Sequence, residues 1–477
     1  MACRACVLIL TLIAAAPALR TRGLAQESLT ADSRQVSFRP ISLRIEESSL
    51  AKTPEDIMAM LLSAISADGQ RVAYRSPSGD GVAIFVNGKA GNVYDAISQG
   101  PVISQAKAGH VAYVARRSGQ DVVVVDGVES KPYDAVLEGS LTFSPHGERI
   151  AFAAGRRGQW NAIVAELADG RLEETPCGHV CTAISPAGFV FSSTGKRLAF
   201  AAQQEAGWVL VTDGKKGRHY DWIGDVRFHP DGEILVYAAE RSDGRFVIRE
   251  NIEKRKVVGG PYEEVADIVV SPDGRWTVFW VKRDEQWQIV AVPTDGHGRS
   301  TKATFDGYGA GTLVFSPDAK RLAFAGVRAK KAVVVVDGTE YGPYDAILEG
   351  TPVFSPDSQR VAYGVCRQGT WRVVVDAEEG KAVYGMLKER SLQFTPDSQH
   401  LVYVASYGNT GKSLAIAVDG ELSNDYLFPL DSKIVFDAPK SFRTVAVVGN
   451  VLPGEGRRNA RLDNGQFVRV HVQIRTE

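Results

Sequence analysis

A unit of about 40 residues recurs along the chain, and a period of that length with several short strands per unit belongs to propeller blades rather than helical solenoids. The cleanest copy, YGPYDAILEGTPVFSPDSQRVAYGVCRQGTWRVVVD, occupies 341–376, and a second, KPYDAVLEGSLTFSPHGERIAFAAGRRGQWNAIVA, occupies 131–165. The residue before S-P-D-G, or before its degenerate form, anchors each unit: Ile65, Ile103, Phe143, Phe191, Phe228, Val270, Phe315, Phe354, Phe394 and Phe436. These anchors are spaced by 38, 40, 48, 37, 42, 45, 39, 40 and 42 residues.

Local chemistry within a unit reads as strands joined by tight turns. Phe354-Ser355-Pro356-Asp357-Ser358 ends a strand in a turn, because Pro presets φ and Asp bonds to its own backbone. The chain resumes as a strand from Arg360 to Tyr363, and the polar Arg367-Gln368-Gly369 leads into the β-branched run Trp371 to Val375. Asp126-Gly127 and Asp337-Gly338 are tight-turn signals. The Tyr-Asp-Ala-Ile segment is expected to supply a fourth short strand. In Arg197-Leu198-Ala199-Phe200-Ala201 and Arg321-Leu322-Ala323-Phe324-Ala325, Leu and Phe line one face and Ala the other. The large face of one sheet can therefore pack on the small face of the next. The expected fold is all-β: a β-propeller of about 40-residue, four-stranded blades. Even spacing without a linker favours one ring of eight to ten blades over two smaller rings.

The S-P-D-G units resemble the WD40-like (PD40) repeats of TolB-like β-propeller proteins. Ser271-Pro272-Asp273-Gly274, Ser316-Pro317-Asp318, Ser355-Pro356-Asp357 and His229-Pro230-Asp231-Gly232 carry the resemblance, over roughly residues 57–450. It implies the fold and leaves function open, since such propellers serve in binding proteins, enzymes and protease side domains.

Residues 1–25 read as a secretory signal peptide. Arg4 gives the positive start, and Val7 to Ala16 is apolar but too short to span a bilayer. Gly23-Leu24-Ala25 is a small-x-small cleavage site before Gln26, with Ala16-Pro17-Ala18 as the alternative. The mature protein is thus expected in the periplasm or secreted, with no transmembrane segment after signal removal. Residues 26–56 form a lead-in whose alternating stretch Gln35 to Arg39 offers a strand to help close the ring, so that both ends of the repeat array offer closing strands. Residues 57–477 form the propeller repeat domain, and Phe467 to Val472 offers a closing strand. Thr53-Pro54-Glu55-Asp56 is a helix-start pattern. A net charge of −1, from 55 basic and 56 acidic residues, argues against a nucleic-acid partner.

The sequence holds no G-x-S-x-G elbow, H-E-x-x-H, phosphate loop or EF-hand pattern. No catalytic set, metal or cofactor is therefore expected. The aspartates Asp273, Asp318, Asp357 and Asp397 recur at one turn of the unit, which makes them turn residues. Cys177-Gly178-His179-Val180-Cys181 lies in the longest spacing, and in an exported protein the two cysteines are expected to form a disulfide. The loop after each R-x-A-F strand carries cations, among them Arg116, Arg117, Arg156, Arg157, Lys282, Arg283, Lys330 and Lys331, with Trp160 and Trp287 beside them. Equivalent loops share one face, so these residues form a candidate rim for a protein or an acidic polysaccharide. The competing readings are solvated hairpins for the cations and inter-blade wedges for the aromatics. The expected function is an exported binding scaffold for a protein or polysaccharide partner. The alternative is a carbohydrate-active lyase or hydrolase with its site at the channel.

Overall fold

Every anchor lies in the innermost strand of an antiparallel sheet, and ten such sheets follow one another along the described chain. The structure, a computed structural model, describes residues 41–476 apart from 107–108, 169, 186–187, 252–253, 295–298, 301–302, 384–386, 407–413, 429–432 and 453–460. The signal-peptide expectation and the Gln35–Arg39 stretch lie outside the described residues.

The eighth blade shows the pattern. Ala346–Ile347 and Val353–Phe354 make a broken inner strand, followed outward by Val361–Arg367, Thr370–Val375 and Glu378–Val383. The fourth strand is therefore the segment after the tight turn, not Tyr-Asp-Ala-Ile. In the repeat at 341–376, Tyr344 ends the outer strand of one blade and Ala346–Ile347 begins the inner strand of the next. Tyr-Asp is thus the crossing between blades. The inner strand breaks because Leu348 to Thr351 forms a turn, with Thr351 N–H donating to Leu348 O at 3.2 Å.

Ten apolar clusters fill the ten junctions, and the alternation of large and small side chains explains how. Leu198 and Phe200 of the fourth blade pack against Ala151 and Ala153 of the third, while Ala199 and Ala201 on the opposite face meet Leu235 and Tyr237 of the fifth. At the last junction Ile65, Val72 and Tyr74 of the first blade meet Val445, Val447 and Phe467 of the tenth, large side chains on both sides. That contact closes one ring of ten blades.

Both ends of the described chain build the tenth blade. Val435–Ala438, Ser441–Leu452 and Arg461–Thr476 supply its inner three strands, and Ile41–Lys52 adds the outermost. Eleven register partners join Ile41–Lys52 to the C-terminal strand, from Ile41↔Thr476 to Lys52↔Gln466. The helix start gives one short helix, Ile57–Leu61, leading into the first blade. No helix of the described residues is long and apolar enough to cross a membrane.

Candidate functional site

Antiparallel strands divide the connections of a blade between two faces. The S-P-D-G turn and the Asp-Gly turn share one face; the hairpin between the second and third strands shares the other with the Tyr-Asp crossing. The rim cations lie at the second kind of face, in hairpins of the second, third, sixth and seventh blades. The structure brings Arg116 and Arg117 next to the blade of Arg156 and Arg157, and Lys282 and Arg283 next to that of Lys330 and Lys331. The fourth and fifth blades separate the two groups on one side.

Most of these cations are engaged by acids of their own blade or its crossing and by rings of the preceding blade. Arg116 pairs with the buried Asp121 at 2.9 Å, and Arg117 pairs with Glu129 at 2.8 Å while lying 5.0 Å over the Tyr94 ring. Lys282 reaches Glu285 at 2.9 Å and Glu264 at 3.4 Å, and Lys331 reaches Asp345 at 2.5 Å. Arg156 and Arg283 lie over Tyr133 and Tyr262, at 4.9 and 4.8 Å. Arg157 and Lys330 stand exposed at hairpin tips. Trp287 is 8% exposed and packs at a tilt against Tyr308, ring centroids 4.3 Å apart, so it belongs to the junction between the sixth and seventh blades. Trp160 packs against the junction of the third and fourth.

The hairpins are held by a device hidden in the Tyr-Asp crossing. The tip residues Ser118, Arg157, Asp284, Ala329 and Gln368 have φ between 48° and 51°. Each tip N–H donates to the crossing carboxylate, from Asp95, Asp134, Glu263, Asp306 and Asp345, at 2.6–2.8 Å. The bond satisfies a backbone donor where the left-handed conformation is costly for a side chain.

A second set of arginines works on the opposite face. Arg321 pairs with Asp337 at 2.8 Å, donates to Ser358 O at 3.1 Å and Gln359 O at 2.5 Å in the next blade, and lies 5.1 Å over Phe354. Arg197 does the same with Asp213, Glu233 O and Phe228. The turn serines complete the pattern: Ser271, Ser316 and Ser355 are fully buried and donate to Asp273, Asp318 and Asp357 at 2.5–2.6 Å. Those hydrogen bonds, first among several causes, hold the three carboxyls below their ordinary range. The recurrent aspartates are turn residues.

What varies from blade to blade is the segment of the inner strand at the axis. In the third, seventh, eighth and ninth blades a buried Ser140, Thr312, Thr351 or Ser391 closes a turn, leaving Glu138, Ala310, Glu349 and Glu389 exposed at its tip. The fifth and sixth blades are two residues shorter here. Their inner strands, Trp222–Phe228 and Glu264–Val270, run unbroken except for a bulge at which Asp225 and Asp267 take φ of 49° and 50°. Neighbouring segments link hand to hand: Gly139 N–H donates to Gln99 at 3.3 Å, Gly311 N–H to Asp267 at 2.6 Å, and Arg390 ion-pairs with Glu349. Burial raises both the Asp225 and Asp267 carboxyls, offset by Arg227 and by backbone N–H donors; their mutual repulsion raises Asp267 further. On the turn face of this collar, clefts of about 420 and 370 Å³ share Val102, Ile103 and Gln105; the first also holds Leu141, Phe143, Phe189 and Phe191.

Several solved structures are similar to this chain. TolB from Acinetobacter baumannii is 13% identical, with 72% of this chain and 98% of that chain covered and a TM-score of 0.29. Oligogalacturonate lyase from Vibrio parahaemolyticus is 11% identical over 80% of this chain and 98% of that chain, with a TM-score of 0.35. The β-propeller domain of the Trilobed protease from Pyrococcus furiosus is 12% identical over 66% and 91%, with a TM-score of 0.32. No family model and no curated protein matches the chain.

Cys177 and Cys181 are unbonded thiols in the structure. They stand on one face of the third blade, opposite Ala162 and Trp160, which are two residues apart on the neighbouring strand. Burial raises both thiols, Cys181 to about 11. Among the described residues no group of three or more His, Cys, Asp or Glu is placed to hold a metal ion.

Sequence reasoning missed the collar because Asp225 and Asp267 stand outside every recurring motif. The one local signal was a shortened distance between crossing and anchor in two successive units.

Proposed function

We propose that the protein is an exported binding scaffold that holds a protein partner at its axial collar. One observation carries the reading: packing residues, turns and clasps recur from blade to blade, whereas the collar differs in length and charge. In a repeat array, positions fixed by stacking recur, and positions that differ are free to specify a partner. Among the described collar residues the acids Glu138, Asp225, Asp267, Glu349 and Glu389 outnumber the basic Arg227, Lys388 and Arg390, which suits a partner presenting basic side chains beside apolar ones. The rim remains the competing surface for an acidic polysaccharide, and its acids and rings already occupy most of its cations. Export rests on the short apolar run and small-residue site. N-terminal sequencing of protein from the native host should begin near Gln26 or Leu19; soluble protein starting at Met1 removes that part.

The test immobilises the mature chain and compares what it retains from the native envelope fraction. Glu138→Gln, Glu349→Gln and Glu389→Gln together should release a protein that charge reversal of Arg116, Arg117, Arg156 and Arg157 leaves bound. The opposite result moves the site to the rim.

A second reading has its own observation. Asp225 and Asp267 occupy adjacent blades, and a carboxyl raised by burial is what a general acid needs. Release of reducing or unsaturated ends from an acidic polysaccharide, lost in Asp267→Asn, supports a carbohydrate-active enzyme.

A further inference from the structure

The tenth blade departs from the other nine where their turns are built. Blades one to nine place Ser, Thr or His directly after the anchor, and that residue closes the turn. The tenth places Asp437 there, in a shorter turn that leaves Ser441 at its exit. Ser441 Oγ lies 2.7 Å from His471 Nε2. His471 stands directly opposite Glu46 on one side and Arg443 on the other, so the three form one row across the sheet. Its Nδ1 is 4.0 Å from Glu46 Oε2, and Asp437 Oδ2 is 3.6 Å from Nε2. Glu46 is itself held by Arg44 at 2.8 Å.

His110 and His400 differ in kind. Each bonds to a turn carboxylate, Asp126 or Asp419, at 2.6 Å, and the other oxygen of that carboxylate accepts a backbone N–H. Those histidines replace clasp arginines. His471 is on a third strand, meets a hydroxyl instead, and is 28% exposed. A hydroxyl within hydrogen-bond reach of an imidazole whose other nitrogen faces a carboxylate is the arrangement that activates a serine nucleophile.

We propose that Ser441, His471 and Glu46 form a nucleophilic site at the ring's closing blade, with a carboxylic ester as its substrate class. Ser441 Oγ bonds to the ester carbonyl carbon while its proton passes to His471 Nε2. Collapse breaks the bond to the alcohol, which leaves with that proton. Water then attacks the acyl-serine by the same route, releasing the carboxylic acid and restoring Ser441. Glu46 is a positioning residue that favours the proton on Nδ1, leaving Nε2 free to accept; Asp437 stabilises the imidazolium. Arg443 brings positive charge to the same row, and among the described residues its Nε has no hydrogen-bond partner.

The site is independent of the collar, so its test is too. The intact mature chain is treated with a fluorophosphonate and digested, and the labelled serine is located by mass spectrometry. Hydrolysis of 4-nitrophenyl acetate is followed in parallel. Labelling is expected at Ser441, with ester turnover abolished in Ser441→Ala and reduced about 100-fold or more in His471→Gln. Glu46→Gln should slow turnover and move the midpoint of its pH–rate profile, which a purely structural carboxylate would not do. An unlabelled Ser441 in the native chain, or His471→Gln labelled as fast as wild type, overturns the proposal.

Discussion

Replacing Arg321 by Met removes a guanidinium while keeping most of the apolar stem. Its ion pair with Asp337 is partly solvated, at 27% and 41% exposure, so that contact contributes about 0.5 kcal/mol. The two donations to Ser358 O and Gln359 O reach into the next blade, and losing them costs about 1 kcal/mol each. Contact with the Phe354 ring adds about 0.5 kcal/mol. The sum is about 3 kcal/mol, concentrated at the junction between the seventh and eighth blades. Lys331→Met is the matched control on the other face. Its ion pair with Asp345 involves groups 51% and 36% exposed and so is largely screened by solvent, and its removal should cost much less than that of the Arg321 contacts. Urea unfolding followed by tryptophan fluorescence measures both, and hydrogen exchange shows where protection is lost. Faster exchange in Arg321→Met should begin at residues 322–361, because stacked blades contact only their neighbours. A midpoint for Arg321→Met indistinguishable from that of Lys331→Met would refute the inter-blade clasp.

Three further outcomes are expected. Trp287→Ala should destabilise the ring by about 3–5 kcal/mol, because the side chain is buried against Tyr308; lost partner binding at unchanged stability would return Trp287 to the rim. Asp225 and Asp267 have carboxyls raised above the ordinary 3.8, so the folded state holds their protons more tightly: their cost is fully present above the raised values and is relieved as pH falls through them. The double Asn variant should therefore gain stability over wild type at neutral pH and lose that advantage at acid pH, and thermal melts showing the same difference at both pH values would contradict the assigned cause. Non-reducing mass spectrometry of protein from the native host should find Cys177 joined to Cys181 and Cys366 free; two free thiols there leave the insertion unbridged.

Much of the ring was legible in local chemistry. Phe-Ser-Pro-Asp sets backbone angles within five residues, and alternation in Leu198-Ala199-Phe200-Ala201 sets which face each side chain takes. Both act over distances shorter than one strand, so both survive in a one-dimensional reading. Tyr-Asp was misplaced for the same reason. Its tyrosine ends one sheet and the next residue but one begins another, and nothing within the dipeptide marks the change of sheet. The basic loops were likewise visible as charges, but not that their rings and carboxylates would come from the crossing and the outer strand.

The sequence alone determined the blade, its period, its turns and the large-on-small packing, because each depends on neighbouring residues and repeats often enough to be recognised. Tertiary structure alone decided the ring of ten, the outermost strand drawn from Ile41–Lys52, the inter-blade clasps, and the meeting of Glu46 with His471. Ring closure depends on the angle accumulated over ten stacked sheets, a sum no single unit encodes. Only when that sum returns to its start do the two ends of the described chain pair, and side chains more than 400 residues apart come into one row.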